Sequence, residues 1–141
     1  LEDYLLPLLE YNPQNNRSQY LKRNKATIVL DAYNANPSSM RASIDGFMAR
    51  LGKKILILGE MKELGKYSRD EHQALVDYLK ALDISESLFF GDEFSHSLLA
   101  GNQTFYTNKE DLKEHLLRQS NSPCSILIKG SRSCRLEELL D

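Results

Sequence analysis

The sequence has no tryptophan and only two cysteines, Cys124 and Cys134. Two cysteines give neither a disulfide framework nor a zinc-ligand spacing, and their scarcity fits a reducing compartment, with the cytoplasm as the default. No apolar run approaches the roughly 20 residues that span a bilayer. The opening Leu1-Glu2-Asp3-Tyr4 is acidic where a signal peptide is basic. Neither charge sign is in excess: 18 basic and 20 acidic residues nearly cancel, which argues against general nucleic-acid or membrane-surface binding. There is no internal repeat and no low-complexity tract. The run Gly-x-x-x-x-Gly-Lys-Ser/Thr occurs nowhere, so the chain brings no P-loop of its own. It also opens without Met, which fits a piece of something longer.

What is present is a domain's worth of chain, 141 residues with an ordinary apolar content. Residues 1–10 have the composition of a short amphipathic helix limited by Pro7. The polar Tyr11-Asn12-Pro13-Gln14-Asn15-Asn16 reads as a linker and marks a domain boundary. Residues 17–22 and 26–31 read as a strand pair turned by Arg23-Asn24-Lys25. Asn36 and Pro37 then open a helix as N-cap and first residue. Its apolar face is Met40, Ile44, Phe47, Met48 and Leu51, and Gly52 ends it. Ile55-Leu56-Ile57-Leu58 has the continuous apolar character of a strand buried on both faces.

After the long loop 59–67, Ser68 and Glu71 make a capping-box pattern for a helix carrying His72, Leu75, Val76 and Leu79. Strands follow at 87–91, 104–106 and 125–128. Between them lie a short helix over 93–99 and a helix capped by Asn108, and a last helix covers 136–140. Strands separated by helices imply an α/β fold: a Rossmann-like, mostly parallel sheet with helices on both faces and an antiparallel strand at its N-terminal end.

In such a sheet the loops 31–37, 59–67 and 129–133 all leave strand ends on one edge, where open α/β sheets bind ligands. Asp31 at the end of its strand is placed to bind ribose hydroxyls, and Tyr33 to stack on a base. Plain turn chemistry accounts for the same residues equally well. Lys129-Gly130-Ser131-Arg132-Ser133 sets two cations and two hydroxyls where a helix begins, which suits a carboxylate or phosphate; a solvated basic loop is the bland reading. Glu60 and Glu63 read as solvated loop charge before they read as an acid–base pair. His72 reads as a structural helix residue packing back on the 59–67 loop. His96 and His115 have no acidic or thiol neighbours at ligand spacing. Cys124 reads as core and Cys134 as exposed. No nucleophile–base pair and no metal-ligand spacing emerges.

Asp31-Ala32-Tyr33-Asn34-Ala35-Asn36-Pro37-Ser38-Ser39-Met40 closely resembles a hallmark of the Mur ligase family, in the branch that adds D-alanyl-D-alanine to a peptidoglycan precursor. Three further stretches resemble that family in order and spacing. They are Tyr11-Asn12-Pro13 with Arg17-Ser18-Gln19; Leu58 to Gly65 with Ser68 and His72; and Ile128-Lys129-Gly130-Ser131-Arg132-Ser133. The similarity runs from about residue 11 to the end. Glu60 departs from it by standing where aspartate is more usual.

The resemblance implies the C-terminal domain, residues 11–141, of a three-domain ATP-dependent amide ligase, with residues 1–10 as the last helix of the central domain. That central domain supplies the P-loop and the magnesium ligands, and the first domain binds UDP-N-acetylmuramoyl-tripeptide. The family's chemistry makes an acyl phosphate that the amine of the incoming dipeptide attacks. Carried over, Arg17 reaches the ATP phosphates, and Asp31 binds ribose with Tyr33, Asn34 and Asn36 shaping the nucleotide edge. Lys129, Ser131 and Arg132 sit by D-alanyl-D-alanine. No catalytic residue and no metal ligand is expected within this piece. Two alternatives stay open: a self-contained, non-catalytic nucleotide-binding module, and the same domain of a sister ligase that adds another amino acid, or glutamate to folate.

Overall fold

A computed structural model describes residues 18–141. Arg17, the helix expected over 1–10 and the boundary at 11–16 lie outside the described residues. The sequence from Gln19–Arg23 (β1) turns at Asn24, whose φ of 52° is left-handed, into Ala26–Asp31 (β2). There follow Pro37–Phe47 (α1), Lys54–Gly59 (β3), Ser68–Lys80 (α2), Glu86–Phe90 (β4), Gln103–Tyr106 (β5), Lys109–Gln119 (α3) and Cys124–Lys129 (β6). The six strands lie in the order β1-β2-β6-β3-β4-β5. Among the described residues only β1 runs antiparallel to its neighbour; β2, β6, β3, β4 and β5 pair in parallel. The expected α/β, mostly parallel sheet with an antiparallel N-terminal strand is the observed one.

Alternation along the central strands builds two cores, because successive side chains leave a strand on opposite faces. Ile28, Ile55, Ile57, Leu88, Ile126 and Ile128 face Leu112 and Leu116 of α3 together with Leu136, Leu139 and Leu140. Val29, Leu56, Leu58, Phe89 and Leu127 face Met40, Ile44 and Phe47 of α1 and Leu75, Val76 and Leu79 of α2. Both faces are covered, so β3 and β6 are buried throughout and read as unbroken apolar runs.

Four expectations change. Helix α1 ends at Phe47, so Leu51 falls outside its periodicity and is 94% exposed; Gly52, at φ 86°, turns the chain toward β3 rather than capping the helix. Residues 92–94 and 136–140 form 3-10 turns in place of the short helices expected over 93–99 and 136–140. Ser68 is the first residue of α2, not its cap. A 3-10 turn over Gly65–Tyr67 leads straight into the helix, and the Ser68 hydroxyl donates to the Glu93 carboxylate. Cys134 is buried, its sulfur lying where a side chain on Gly59 would be, and burial pushes its thiol pKa up. Cys124 is buried as expected.

His72 is the structural residue the sequence suggested, and it fixes the loop after β3. It is fully buried, edge-on to Phe94 with ring centroids 4.5 Å apart. Its Nε2 accepts from the Met61 N–H at 3.0 Å, and its Nδ1 lies 2.8 Å from the Ser68 carbonyl. That pattern suits only the neutral ring with the proton on Nδ1, because a proton on Nε2 would face the Met61 N–H. Burial accordingly holds the His72 pKa below its ordinary 6.5.

Two predictions follow from this packing. A Cβ on Gly130 would stand 2.7 Å from the Gly59 Cα, a backbone atom that cannot give way. Gly130→Ala is therefore expected to lower unfolding stability by about 1–3 kcal/mol. Gly46→Ala, which meets open space late in α1, should be neutral or stabilising by up to about 1 kcal/mol; urea titration of both variants checks the contrast. For His72, the unfolded ring takes its proton near pH 6.5 while the folded ring does so only at lower pH. The unfolded state thus binds more protons just below pH 6.5, and stability falls as pH falls through that window, at a slope of up to about 1.4 kcal/mol per pH unit. His72→Gln should be less stable at pH 7.5 but should flatten this slope, as read by denaturation at pH 7.5, 6.5 and 5.5.

Candidate functional site

The strands β2, β6 and β3 end side by side: Asp31 is in register with Lys129, and Lys129 with Leu58, the residue before the end of β3. From β2 the chain passes to α1 on one face of the sheet. From β6 it passes to Cys134, Leu136 and Leu139 on the other face. Adjacent strands whose connections diverge open a crevice between them. The three loops that the sequence reading put on one edge do meet there.

At the bottom of that crevice the Lys129 Nζ lies 2.9 Å from Asp31 Oδ2, with both side chains almost wholly buried. The same ammonium donates to the Asn34 carbonyl at 3.2 Å, and the Ser43 hydroxyl donates to Asp31 Oδ2 at 3.2 Å. Asp31 Oδ1 is buried and has no hydrogen-bond partner among the described residues. Asp31 lines a hollow of about 230 Å³ beside Ser43, Arg50 and Ser18. An unpaired buried carboxylate oxygen costs free energy that an incoming hydroxyl would offset.

The rest of the 31–37 loop divides by role. Asn36 caps α1: its side-chain oxygen accepts from the Ser39 N–H at 2.9 Å, and the Ser39 hydroxyl receives the Asn36 N–H at 3.0 Å. Asn34 meets Lys129 through its backbone carbonyl. Tyr33 stands out from the edge, 53% exposed. It shares a hollow of about 170 Å³ with Leu30, Ala32, Arg132 and Glu137.

Of the residues that the resemblance assigns to the dipeptide, only Arg132 faces outward. Its guanidinium pairs with Glu137 at 2.7 Å, both groups well exposed. Lys129 is 3% exposed and committed to Asp31 and Asn34, so the fold turns its ammonium inward toward the 31–37 loop. Ser131 is also turned inward. Its N–H donates to the Glu60 carbonyl at 3.1 Å, and its hydroxyl lies against Ser133 and Cys134.

Glu60 braces the third loop. Its carboxylate accepts from the Glu93 N–H at 3.0 Å and pairs with Lys62 at 3.1 Å, an attraction that raises the Lys62 pKa. It also fills the space where a side chain on Gly91 would be. Glu63, at φ 64°, belongs to the turn of that loop. Among the described residues no group of three or more His, Cys, Asp or Glu forms a metal site, and no helix is long and apolar enough to cross a membrane.

Sequence reasoning missed Ser43 and the Asn34 carbonyl as supports of Asp31. The first had a signal: Ser43 is polar and lies one turn before Phe47 on a helix whose neighbours are core. The second had none, since a backbone carbonyl leaves no trace in composition. The hydrogen-bonded set Tyr106, His115 and Glu86 was missed too, because its members sit on β5, α3 and β4.

Residues 16–132 match the family model described as "Mur ligase, glutamate ligase domain". The UDP-N-acetylmuramoyl-tripeptide–D-alanyl-D-alanine ligase of Buchnera aphidicola from Acyrthosiphon pisum is 33% identical over 117 residues, covering 81% of this chain and 26% of that protein. Among solved structures, a MurF from Acinetobacter baumannii superposes with a TM-score of 0.77 at 31% identity, over 86% of this chain and 28% of its own. MurF ligase from Thermotoga maritima, solved in complex with ADP, superposes with a TM-score of 0.76 at 27% identity, over 86% of this chain and 28% of its own. The chain thus spans less than a third of the length of these relatives. With its motifs, its sheet order and these matches in agreement, the chain belongs to the Mur ligase family.

Proposed function

We propose that this domain forms the nucleotide-closing and dipeptide-holding part of an ATP-dependent ligase that joins D-alanyl-D-alanine to UDP-N-acetylmuramoyl-tripeptide in the cytoplasm. The observation that carries the reading is the buried, unpartnered Asp31 Oδ1 at the end of β2, where a ribose hydroxyl would donate to it. Tyr33 offers an exposed ring for the adenine in the second hollow on this sheet edge. Arg132, at the other side of the same hollow, offers a guanidinium that the dipeptide carboxylate would take over from Glu137. Arg17 is assigned to the ATP phosphates in this reading.

Residues 1–10 then belong to a central domain that holds the P-loop and magnesium. Magnesium, when bound there, neutralises the transferring phosphoryl group, and no residue described here is assigned to it. The part of this chain is to position: to fix the ribose, to cover the nucleotide and exclude water, and to present the dipeptide amine to the activated carboxylate. No nucleic acid or membrane enters the reading.

Three outcomes test it. The isolated chain given ATP and both substrates should form no amide bond and should bind nucleotide weakly; turnover by the isolated chain would overturn the division of labour, and tight binding would favour a self-contained nucleotide module. In the full-length ligase, Asp31→Ala should raise KM for ATP by about tenfold or more, the loss of one or two charge-assisted hydrogen bonds. An unchanged KM for ATP with a changed KM for the dipeptide would remove the ribose role. Arg132→Ala should raise KM for the dipeptide by about tenfold while KM for ATP stays within about twofold; equal effects on both would mark Arg132 as a residue of domain closure.

A further inference from the structure

We propose that Lys129 is a positioning residue of the nucleotide site rather than a dipeptide ligand, acting through Asp31 and the turn that follows it. The inference rests on the ribose role of Asp31. Its carrying observation is separate: one buried ammonium holds two parts of the nucleotide loop at once. Lys129 Nζ bonds Asp31 Oδ2 at 2.9 Å and the Asn34 carbonyl at 3.2 Å, across a register in which β2 and β6 end side by side.

The first bond fixes which carboxylate oxygen is occupied. With the Ser43 hydroxyl also on Oδ2, Asp31 is clamped by one oxygen and leaves Oδ1 as the acceptor still to be satisfied. The second bond pins the backbone between Tyr33 and Asn36, and so sets where the exposed Tyr33 ring stands. A lysine suits the task better than an arginine would: a compact ammonium on a flexible stem can divide its donors between a carboxylate and a carbonyl at unrelated angles. Residues that fix a ligating group by a buried partner commonly matter as much as the group itself.

The test uses the full-length ligase and four variants: Lys129→Met, Asp31→Asn, Asp31→Ala and the double Asp31→Asn/Lys129→Met. Lys129→Met should raise KM for ATP by about tenfold, leave KM for D-alanyl-D-alanine within about twofold, and shrink the preference for ATP over 2′-deoxy-ATP. A dipeptide ligand would give the opposite split, which overturns the proposal. A uniform fall in kcat with both KM values unchanged also overturns it.

Because Lys129→Met leaves a buried carboxylate unpaired and threatens folding, the double variant, which removes both charges, carries the test in that event. If Lys129 acts on the nucleotide site, the double variant should keep the dipeptide KM of Asp31→Asn within about twofold, with any further loss confined to KM for ATP. A further tenfold rise in the dipeptide KM would overturn the proposal. The two readings fail separately. An Asp31→Ala enzyme with normal KM for ATP sinks the ribose role itself. An Asp31→Ala enzyme with raised KM for ATP, beside a Lys129→Met enzyme with a normal one, sinks only the positioning role.

Discussion

The buried pair of Asp31 and Lys129 is the constraint on which the rest of this edge depends. Two opposite charges removed from water are costly unless each finds its partner at good geometry, and breaking such a pair by removing one member typically costs about 3–5 kcal/mol. The pair therefore dictates that β2 and β6 end together, that the 31–37 turn folds back over Lys129, and that Ser43 of α1 faces the strand end. The apolar strands around it would tolerate many mutual arrangements. The charge pair tolerates one, because a slip of either strand by one residue would turn its charge to the other face of the sheet and leave both groups without a partner.

A second, weaker constraint works on the other side of β6. Gly59 and Gly130 approach so closely that neither has room for a methyl group, and the sulfur of Cys134 fills what remains. The Ser131 N–H then finds the Glu60 carbonyl, and Glu60 in turn braces the turn at Asp92–Phe94. His72 ties Met61 to α2 from beneath. The three loops at the edge are thus linked to one another by specific bonds. Both hollows that contain candidate ligand groups, one beside Asp31 and one between Tyr33 and Arg132, have walls drawn from more than one strand end.

The sheet was legible because β3 and β6 are buried on both faces and so are written as unbroken apolar runs, while α1 and α2 carry their cores at helical spacing. The meeting of the three loops was legible for the same reason, since a parallel sheet leaves no other place for them. The direction in which individual side chains point was not. Lys129 and Arg132 are two cations three residues apart in one loop, and nothing in their spacing tells that one turns inward to a carboxylate and the other outward. Ser68 carries a capping-box pattern, but the preceding 3-10 turn already starts the helix, which leaves the hydroxyl to Glu93. Cys134 was read as exposed because the seam that buries it brings Gly59, far away in sequence, against the loop after β6.

The strand order has a consequence for how the molecule is made. β6 is the last strand of the sheet to leave the ribosome, yet it lies between β2 and β3. Until residues 124–129 emerge, the hairpin β1–β2 and the trio β3–β4–β5 have no strand pairing with one another. Asp31 has by then been synthesised without the cation it is buried against. The nascent chain carries two incomplete half-sheets with open edges, the kind of intermediate that chaperones shield. Arrival of one strand then closes the sheet, neutralises the buried charge and assembles the candidate nucleotide site in a single step.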